Sequence, residues 1–367
     1  MSPSETRPPV PAHQAVMRGQ GFYNTHSQLQ RSAIAYGLPL LERAVKAVPL
    51  PEPGGAFLVA DYGSSEGRNS LEPMKTVIGL VRRRASEAVP IAIVHNDQPA
   101  NDFSSLFLLL ESSPESYLRG ASNVFTFATG RSFFERLFPA GQVSLGWSAI
   151  ALHWLSKVPA TMPDHIWTPR ATGQLAEAFA KQGREDWQRF LEHRAHELRP
   201  GGRLVILAGA ADERGLSGGE GLLDLANRAL RELTEARALR TGEYERMLVP
   251  TYNRRIEEFR EPFERGPLSA QLVLEECSPV VLPDPLWEQY EHGRDARAYA
   301  AALTAWFRAW SEPPLFRSLD SDRSPDARQQ LVEDFYAALR RKIEADPSAT
   351  RCRWLTVCLL IAKPDED

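Results

Sequence analysis

The stretch Gly63-Ser64-Ser65-Glu66-Gly67 fits the pattern G-x-S-x-G. In serine hydrolases this pattern places the central serine on a sharp turn, where its hydroxyl oxygen acts as a nucleophile. The same stretch follows a short apolar run, residues 56–62, and its two glycines would also let the backbone approach a bound nucleotide closely. The loop therefore has two chemical interpretations: Ser65 is a nucleophile, or the loop is a cofactor cradle.

A hydrolase elbow has requirements that extend well beyond five residues. It needs a strand in the middle of a sheet, an oxyanion loop from an earlier strand, and acid and histidine partners later in the chain. Residues 56–62 are predicted as the first strand, and residues 1–55 contain no H-G-G-type loop. A hydrolase is therefore the least favoured function, and its test would be loss of esterase activity on replacing Ser65 by Ala.

The residues around the loop favour a cofactor cradle. Asp61 lies at the carboxyl end of the first predicted strand, where its carboxylate can reach polar groups of an amino-acid moiety. Asp97 closes the second predicted strand, where a carboxylate can accept hydrogen bonds from both ribose hydroxyls, although a loop-capping role fits Asp97 alone as well. Together with L-x-P-G-G-x-L-V at 198–205, these features resemble class I S-adenosylmethionine-dependent methyltransferases.

Strand-like and helix-like segments alternate along the first part of the chain, which predicts an α/β protein with a Rossmann-like, doubly wound sheet. The predicted strands are residues 56–62, 90–97, 123–130, 142–154 (ending in a helical turn), 198–209, 270–276 and 353–362. The predicted helices are a pair within 28–48 interrupted by Pro39, and then 71–89, 172–198, 222–239, 251–264, 296–310 and 325–345.

The helical material beyond Gly209 is more than the faces of the sheet can hold. We expect part of it to form an α-helical cap over the carboxyl ends of the strands, where doubly wound folds bind ligands. The expected organisation is a flexible tail at 1–16, a cofactor-binding core at 17–210, a helical cap at 211–265, and the remaining core strands with further cap helices (about 285–345) within 266–367.

Composition and charge exclude several function classes. The chain has 367 residues, of which 43% are apolar, enough to bury a full core. Its 43 basic and 47 acidic residues produce no field that would attract a nucleic acid. No apolar run approaches the roughly 18 residues of a membrane span, and the Pro-rich start has no signal-peptide core, so we expect a cytoplasmic protein with no membrane partner. Cys277, Cys352 and Cys358 are too few and too scattered for a disulfide framework or a zinc site and are expected to be buried thiols.

Longer stretches resemble one family of class I methyltransferases, the SABATH methyltransferases. The specific ones are N-D-x-P-x-N-D-F at 96–103, S-F-x-x-R-L-F-P at 132–139 and W-L-S-x-V-P at 154–159, and further similar stretches lie at 17–30, 59–70 and 249–255. The resemblance covers nearly the whole chain. The family includes salicylate, benzoate, jasmonate and indole-acetate carboxyl methyltransferases and caffeine-pathway N-methyltransferases, and departures from the plant pattern indicate a divergent, microbial member.

The resemblance implies that S-adenosylmethionine is the cofactor. The residues expected to hold it are Tyr23, Asp61, Ser64, Asn69, Asp97, Gln98, Ser132 and Phe133. Ser64 stands where many family members have Cys, so Ser65 is no nucleophile in this interpretation. Ser132 can bond adenine and Phe133 can stack on it, although the local sequence alone fits a helix N-cap with a core aromatic residue nearly as well.

On the substrate side, the resemblance implies that Gln30 and Trp154 donate hydrogen bonds to a carboxylate. A carboxylate is ionised near pH 7 and needs no general base, so no catalytic acid or base is expected. An amide and an indole N–H can position the anion without the full charge of an Arg, which would stabilise the ground state more than a transition state that is losing charge. Without the family pattern, Trp154 would more often be a core residue and Gln30 a surface residue.

Three substrate-wall positions depart from the salicylate-type pattern. His153 stands where Met is usual, Ile150 stands where many members have Tyr, and the cap position that carries a second Trp falls near Leu222 and Leu223. We expect His153, Ile150 and Leu223 to line the substrate pocket, with specificity set by these and other wall residues.

The favoured function is methyl-ester formation on a small, aromatic carboxylic acid. The alternative within enzymes is N-methylation of a small heterocycle, favoured if His153 faces a ring nitrogen. Outside enzymes, the chain could bind a small acid without turning it over, although a pure binder would gain from an Arg clamp.

Some family members carry a magnesium-linked D-x-F-N pattern, which Glu245, Met247 and Leu248 do not match, so no metal is expected. Family members are commonly dimers, and a homodimer is expected here.

Overall fold

The structure is a computed structural model that describes residues 16–85 and 87–365. The expected flexible tail, residues 1–16, lies outside the described residues except for Val16. The strands of the described chain are β1 Phe57–Tyr62, β2 Ile91–Asp97, β3 Val124–Gly130, β4 Val143–Ala149, β5 Leu198–Ala211, β6 Arg254–Arg255, β7 Val273–Val281 and β8 Leu355–Ala362. Each predicted strand has a counterpart in this set, and β6 is an addition.

These strands form one sheet in the order β3-β2-β1-β4-β5-β8-β7, with β6 paired to β5. The pairs among β1 to β5 are parallel, whereas β8 runs antiparallel to both β5 and β7. Because β1 lies between β2 and β4, the direction in which the chain winds reverses beside β1. Ligands of doubly wound sheets bind at such a reversal, outside the carboxyl ends of the strands.

The helices of the described chain are α1 Phe22–His26, α2 Gln28–Ala47, α3 Leu71–Arg84, α4 Phe103–Ser112, α5 Gly173–Glu197, α6 Glu220–Glu235, α7 Thr241–Glu245, α8 Ile256–Glu264, α9 Pro285–Gly293, α10 Ala296–Phe316 and α11 Pro325–Ala345. Apolar faces of α2, α3 and α4 share one buried cluster with side chains of β1, β2, β4 and β5. A second cluster joins α5 and α8 to the sheet. The sheet is therefore covered on both faces, as a buried parallel sheet requires.

A single helix spans the segment in which Pro39 predicted a break. Helix α2 runs from Gln28 to Ala47 with Pro39 inside it. An interior proline removes one backbone hydrogen bond and costs about 3 kcal/mol. That cost is offset by burial of the apolar face of the helix, which includes Ile34, Leu40 and Leu41.

A third cluster forms a helical layer distinct from the sheet. It joins the apolar faces of α6, α9, α10 and α11, and its aromatic members include Trp287, Trp306 and Trp310. The segment expected to be a cap, residues 211–265, is divided between two layers. Helix α6 belongs to this helical layer, whereas α8 packs on the sheet because Phe259 lies in the sheet cluster.

The thiols differ in burial. Cys352 and Cys358 are buried as expected, but Cys277 is only half-buried because it lies on β7, the last strand in the sheet order.

In residues 16–85 and 87–365, no helix is long and apolar enough to cross a membrane. The same residues contain no group of three or more His, Cys, Asp or Glu side chains that could hold a metal ion.

Candidate active site

The glycine-rich loop turns sharply between β1 and α3. Gly63, Ser65 and Gly67 have φ angles of 82°, 49° and 86°, all in the left-handed region that glycine tolerates best. A Cβ added to Gly63 would lie 2.4 Å from Cβ of Ala151, so only glycine fits at that point. Ser65 is buried and its Oγ has no hydrogen-bond partner within the described chain, an environment that lacks the histidine base a nucleophile needs.

Asp97 is bonded to the loop from the end of β2. Its Oδ2 accepts from the backbone N–H of Ser65 at 2.7 Å, and its Oδ1 accepts from the backbone N–H of Gln98 at 2.7 Å. Burial raises the pKa of Asp97 to about 6, against the lowering effect of these two hydrogen bonds. Tyr23 lies nearby, and burial together with the negative charges of Asp97 and Glu66 raises the pKa of the Tyr23 phenol well above its usual range.

Asp61 belongs to a buried chain of hydrogen bonds that the sequence did not reveal. Its Oδ2 accepts from Oγ of Ser70 at 2.6 Å and pairs with Nδ1 of His95 at 2.7 Å. Nε2 of His95 lies 2.7 Å from Oη of Tyr117, which in turn bonds Oγ1 of Thr126. Donors and acceptors all match if Thr126 donates to Tyr117, Tyr117 to His95, and His95 to an ionised Asp61. The chain thereby fixes the carboxylate of Asp61 in one orientation.

Glu66, the last variable position of the G-x-S-x-G pattern, ties the N-terminal segment to the loop. It is 1% exposed, and its two carboxylate oxygens accept from the backbone N–H groups of Gly21 at 2.7 Å and Asn24 at 3.0 Å. Oδ1 of Asn24 accepts in return from the backbone N–H of Arg68 at 3.0 Å. These contacts set the position of α1 and therefore of Tyr23 beside Asp97.

A fully buried ion pair on α5, Arg194 with Glu197, holds the loop that carries Ser132 and Phe133. Nη2 of Arg194 lies 2.9 Å from Oε1 of Glu197, and Nη1 of Arg194 donates to the carbonyl oxygen of Phe133 at 2.8 Å. Oε1 of Glu197 also accepts from the backbone N–H of Leu137 at 2.6 Å. A buried pair is costly unless further hydrogen bonds satisfy it, and here backbone groups of the 131–139 loop bond both side chains.

One cavity lies between the loop, the end of β4 and the helical layer. Eight of the predicted site residues line it: Tyr23, Gln30, Asp97, Gln98, Phe133, Ile150, His153 and Trp154. Four tryptophans that the sequence analysis did not select also line it: Trp167, Trp306, Trp310 and Trp354. Of these, Trp306 and Trp310 are spaced four apart on α10, which is the one sequence signal that could have placed them on a common face.

The other predicted site residues, Ser64, Asn69, Ser132, Asp61 and Leu223, do not line the cavity. Oγ of Ser64 donates to the carbonyl oxygen of Asn96 at 3.4 Å, and Oδ1 of Asn69 accepts from Ser27 at 3.5 Å. Oγ of Ser132 accepts from the backbone N–H of Phe134 at 3.3 Å, which is a local turn role. The carboxylate of Asp61 is held by the buried chain of hydrogen bonds described above. Leu223 is completely buried within the helical layer, because α6 turns its apolar face toward the other helices of that layer.

His153 is uncharged at neutral pH. Burial, with a contribution from the charge of Arg254, lowers the pKa of His153 to about 4. Its Nδ1 is buried and has no partner within the described chain. Ile150, directly after β4, has a φ of 53°, and the backbone turns there away from the strand. His153 lies within the segment that follows this turn. The imidazole can therefore donate or accept one hydrogen bond, but it brings no charge to the cavity.

The side chains around the loop suit S-adenosylmethionine. Oγ of Ser65 and Oε1 of Gln98 are buried without partners within the described chain, and such atoms cost free energy unless a ligand satisfies them. Of the three carboxylates around the turn, those of Asp61 and Glu66 are occupied by hydrogen bonds within the protein, whereas Asp97 lines the cavity, where it could accept hydrogen bonds from ribose hydroxyls. Phe133 is the apolar face that remains available for adenine.

The reversal of winding beside β1, with an acidic residue ending β2, places the protein among the Rossmann-like proteins that bind a nucleotide-type cofactor. A family model described as SAM dependent carboxyl methyltransferase matches residues 12–362. The chain therefore belongs to the S-adenosylmethionine-dependent carboxyl methyltransferases, and its cofactor is S-adenosylmethionine.

Individual relatives agree with this assignment. The O-methyltransferase acrG of Aspergillus aculeatus is 32% identical over 329 residues, covering 84% of this chain and 84% of that protein. The probable jasmonic acid carboxyl methyltransferase 2 of Theobroma cacao is 30% identical over 209 residues, covering 51% of this chain and 55% of that protein. A solved structure, loganic acid methyltransferase with SAH, shares the fold with a TM-score of 0.77 at 21% identity, covering 95% of this chain and 99% of that one. The predicted SABATH resemblance, fold class, enzyme class and cofactor are confirmed.

Proposed function

We propose that this enzyme forms methyl esters of small, aromatic carboxylic acids, and that Gln30 and Trp154 hold the carboxylate. The observation that carries the proposal is a pair of free donors in one cavity. Within the described residues, neither Nε2 of Gln30 nor Nε1 of Trp154 has a protein hydrogen-bond partner, and both side chains line the cavity. Two N–H donors suit the two oxygens of a carboxylate.

The charge of the cavity wall favours reaction over tight binding of the acid. No Lys or Arg is among the described residues that line the cavity. A carboxylate loses charge as it accepts a methyl group, so a cation would stabilise the ground state more than the transition state. Neutral donors orient the anion without that penalty, and a pure acid binder would instead benefit from an Arg clamp.

When bound, S-adenosylmethionine supplies an electrophilic methyl group on a sulfonium sulfur. The acid needs no general base, because a carboxylic acid with an ordinary pKa is ionised near pH 7. The protein side chains therefore have two tasks, which are to exclude water and to aim one carboxylate oxygen in line with the sulfur–methyl bond. Asp97 and the 63–67 loop would hold the cofactor, and Gln30 and Trp154 would hold the acid.

The aromatic wall supports an aromatic acid as substrate. Trp154, Trp306, Trp310 and Trp354 all line the cavity. Indole faces stack on planar rings with favourable geometry and exclude water from the reacting group. The names of two relatives refer to acids, jasmonic acid and loganic acid, which supports a carboxylate as the acceptor.

N-methylation of a small heterocycle is the second candidate. The observation that favours it is His153, a neutral imidazole in the cavity wall where one ring nitrogen could bond a heterocycle without imposing a charge.

We further propose that the protein acts as a cytoplasmic homodimer without nucleic-acid or membrane partners. Sedimentation velocity at micromolar concentration would test the dimer.

The test of the proposed function is transfer of labelled methyl from S-adenosylmethionine to a panel of acceptors. The panel comprises benzoate, salicylate, phenylacetate, indole-3-acetate, fatty acids and xanthines. Label that extracts as a base-labile ester of an aromatic acid supports the proposal. Label on xanthine alone moves the reaction to nitrogen, and label on fatty acids alone contradicts the aromatic assignment.

A further inference from the structure

We propose that Trp306 is a positioning residue that sets the orientation of the Gln30 amide. Nε1 of Trp306 lies 2.8 Å from Oε1 of Gln30, and the two residues are separated by 276 positions in the chain. An indole N–H can only donate, so its partner must be the amide oxygen. The amide NH₂ of Gln30 is thereby the group left for the cavity. This inference rests on the proposed function, in which Gln30 binds the carboxylate.

Orientation matters because the two ends of an amide have opposite effects on an anion. The NH₂ end donates to a carboxylate, whereas the carbonyl end would meet it with a second negative dipole. If Gln30 rotated by half a turn, its NH₂ would also face the indole N–H, leaving two donors opposed. In the rotated orientation the hydrogen bond to Trp306 is lost and two donors face each other. Trp306 therefore favours the orientation that presents the NH₂ group to the cavity, and it does so before the substrate arrives.

Trp306 is itself held firmly. The residue is 4% exposed, and its ring contacts Trp310 edge-on, with ring centroids 5.3 Å apart at 71°. It also contacts Trp354, with centroids 6.0 Å apart at 52°. These contacts restrict the indole to one rotamer, so its N–H has a fixed direction. Because Trp306 lies on α10 of the helical layer and Gln30 lies on α2 against the sheet, the substrate anchor is complete only when the two layers are docked.

Trp310 provides a matched comparison in the same wall. It lies on α10 four residues beyond Trp306, lines the same cavity, and its Nε1 has no partner within the described chain. Trp306→Phe and Trp310→Phe each replace an indole by a benzene ring, but only the first removes a hydrogen bond to Gln30. The difference between the two variants measures the effect of that bond.

The experiment measures binding of acid and amide pairs to the full-length enzyme saturated with S-adenosylhomocysteine. The probes are benzoate and benzamide, phenylacetate and phenylacetamide, and indole-3-acetate and indole-3-acetamide, with Kd from calorimetry. Relative to Trp310→Phe, Trp306→Phe should raise the Kd of the acids about tenfold, the size expected for one hydrogen bond to a charged group. The Kd of the neutral amides should rise less than threefold, because an amide ligand can bond either end of Gln30.

A double-mutant comparison and a spectroscopic measurement separate orientation from simple packing. In a Gln30→Leu background, Trp306→Phe should cause no larger loss of acid binding than Trp310→Phe does. With ¹⁵N-labelled tryptophan, the indole N–H resonance that Trp306→Phe deletes should shift in Gln30→Leu, which reports the bond without any substrate.

Each outcome decides the proposal. A Trp306 resonance unchanged by Gln30→Leu shows that the bond is absent and overturns it. Equal losses for acids and amides in Trp306→Phe show a packing role and overturn it as well. If the wild type binds none of the three acids, the proposed function fails and takes the positioning role with it, while the resonance shift still reports whether the bond exists. A selective loss of acid binding together with the shift establishes the role.

Discussion

The backbone N–H of Ser65 lies 2.7 Å from Oδ2 of Asp97, so the turn after β1 is bonded directly to the end of β2. Ser65 has a φ of 49°, a conformation uncommon for a residue with a side chain. The bond to Asp97 is one reason that this conformation is stable. The serine of the G-x-S-x-G pattern thus donates its backbone N–H to the carboxylate of Asp97, and its hydroxyl group has no hydrogen-bond partner within the described chain.

Cofactor affinity should depend on pH through Asp97. Its pKa is raised to about 6, so below that pH the carboxyl is protonated and loses acceptors for the ribose hydroxyls. We expect the Kd of S-adenosylhomocysteine to be constant above about pH 7 and to rise about tenfold per unit below about pH 6. Calorimetry between pH 5 and 8 measures this. Asp97→Asn should bind weakly at every pH, and an equally steep profile in that variant would assign the titration to another group.

Tyr117→Phe should weaken cofactor binding from a position that does not touch the cavity. It removes the hydroxyl group 2.7 Å from Nε2 of His95, and an unsatisfied buried partner costs about 1–3 kcal/mol. We expect that loss in the free energy of unfolding, and a several-fold higher Kd for S-adenosylhomocysteine because Asp61 is less firmly oriented. Tyr299→Phe is the control, since its Oη lies 3.2 Å from the carbonyl oxygen of Thr350 in the helical layer. Equal cofactor Kd values in the two variants would show that the hydrogen bonds from Tyr117 through His95 to Asp61 do not affect cofactor binding.

Trp154→Phe should raise KM for the acid about tenfold and lower kcat, because one neutral donor to the carboxylate is lost while the ring is kept. The Kd of S-adenosylhomocysteine should change less than twofold. Steady-state kinetics and calorimetry measure the two effects separately. Trp287→Phe, in the core of the helical layer, controls for loss of a tryptophan. A fall in cofactor affinity as large as the rise in KM would contradict the assignment of Trp154 to the substrate.

Glu197→Gln should destabilise the protein and loosen the 131–139 loop. The substitution leaves the guanidinium of Arg194 buried without its counter-charge, which costs about 3–5 kcal/mol. Urea unfolding measures the loss, and the Kd of S-adenosylhomocysteine should rise because Phe133 is held less firmly. Glu135→Gln breaks an exposed pair with Arg131 in the same loop and should cost less than about 1 kcal/mol. Similar costs for the two variants would show that burial of the Arg194 pair has no special effect.

His153 should make the protein less stable in acid. Its folded-state pKa is about 4 against an ordinary 6.5, so between these values the unfolded chain takes up a proton that the native protein does not. Stability is therefore lost as the pH falls from about 6.5 to about 4, by about 2–3 kcal/mol from this one group. His153→Asn should lack that part of the loss in urea unfolding at the two pH values. An identical pH dependence in the variant would show that His153 is protonated freely in the native state.

Local sequence predicted the strands and most long helices of the described chain. An apolar run bounded by glycine marked β1, because a buried parallel strand is apolar on both faces. The break predicted at Pro39 was wrong, since local propensity does not include the burial of Ile34 and Leu41 that offsets the cost of the proline. The place of Leu223 could not be predicted either, because the orientation of α6 depends on the helices packed around it.

The sequence by itself determined the tight turn after β1, the acidic residues near the ends of β1 and β2, and the family, since each of these depends on residues close together in the chain. Only the tertiary structure decided which side chains meet across long separations. Trp306 reaches Gln30 over 276 positions, and His95 reaches Asp61 over 34. The physical reason is that a hydrogen bond is fixed by the distance and direction of two groups in space. Those quantities depend on how layers pack, and no local spacing encodes them.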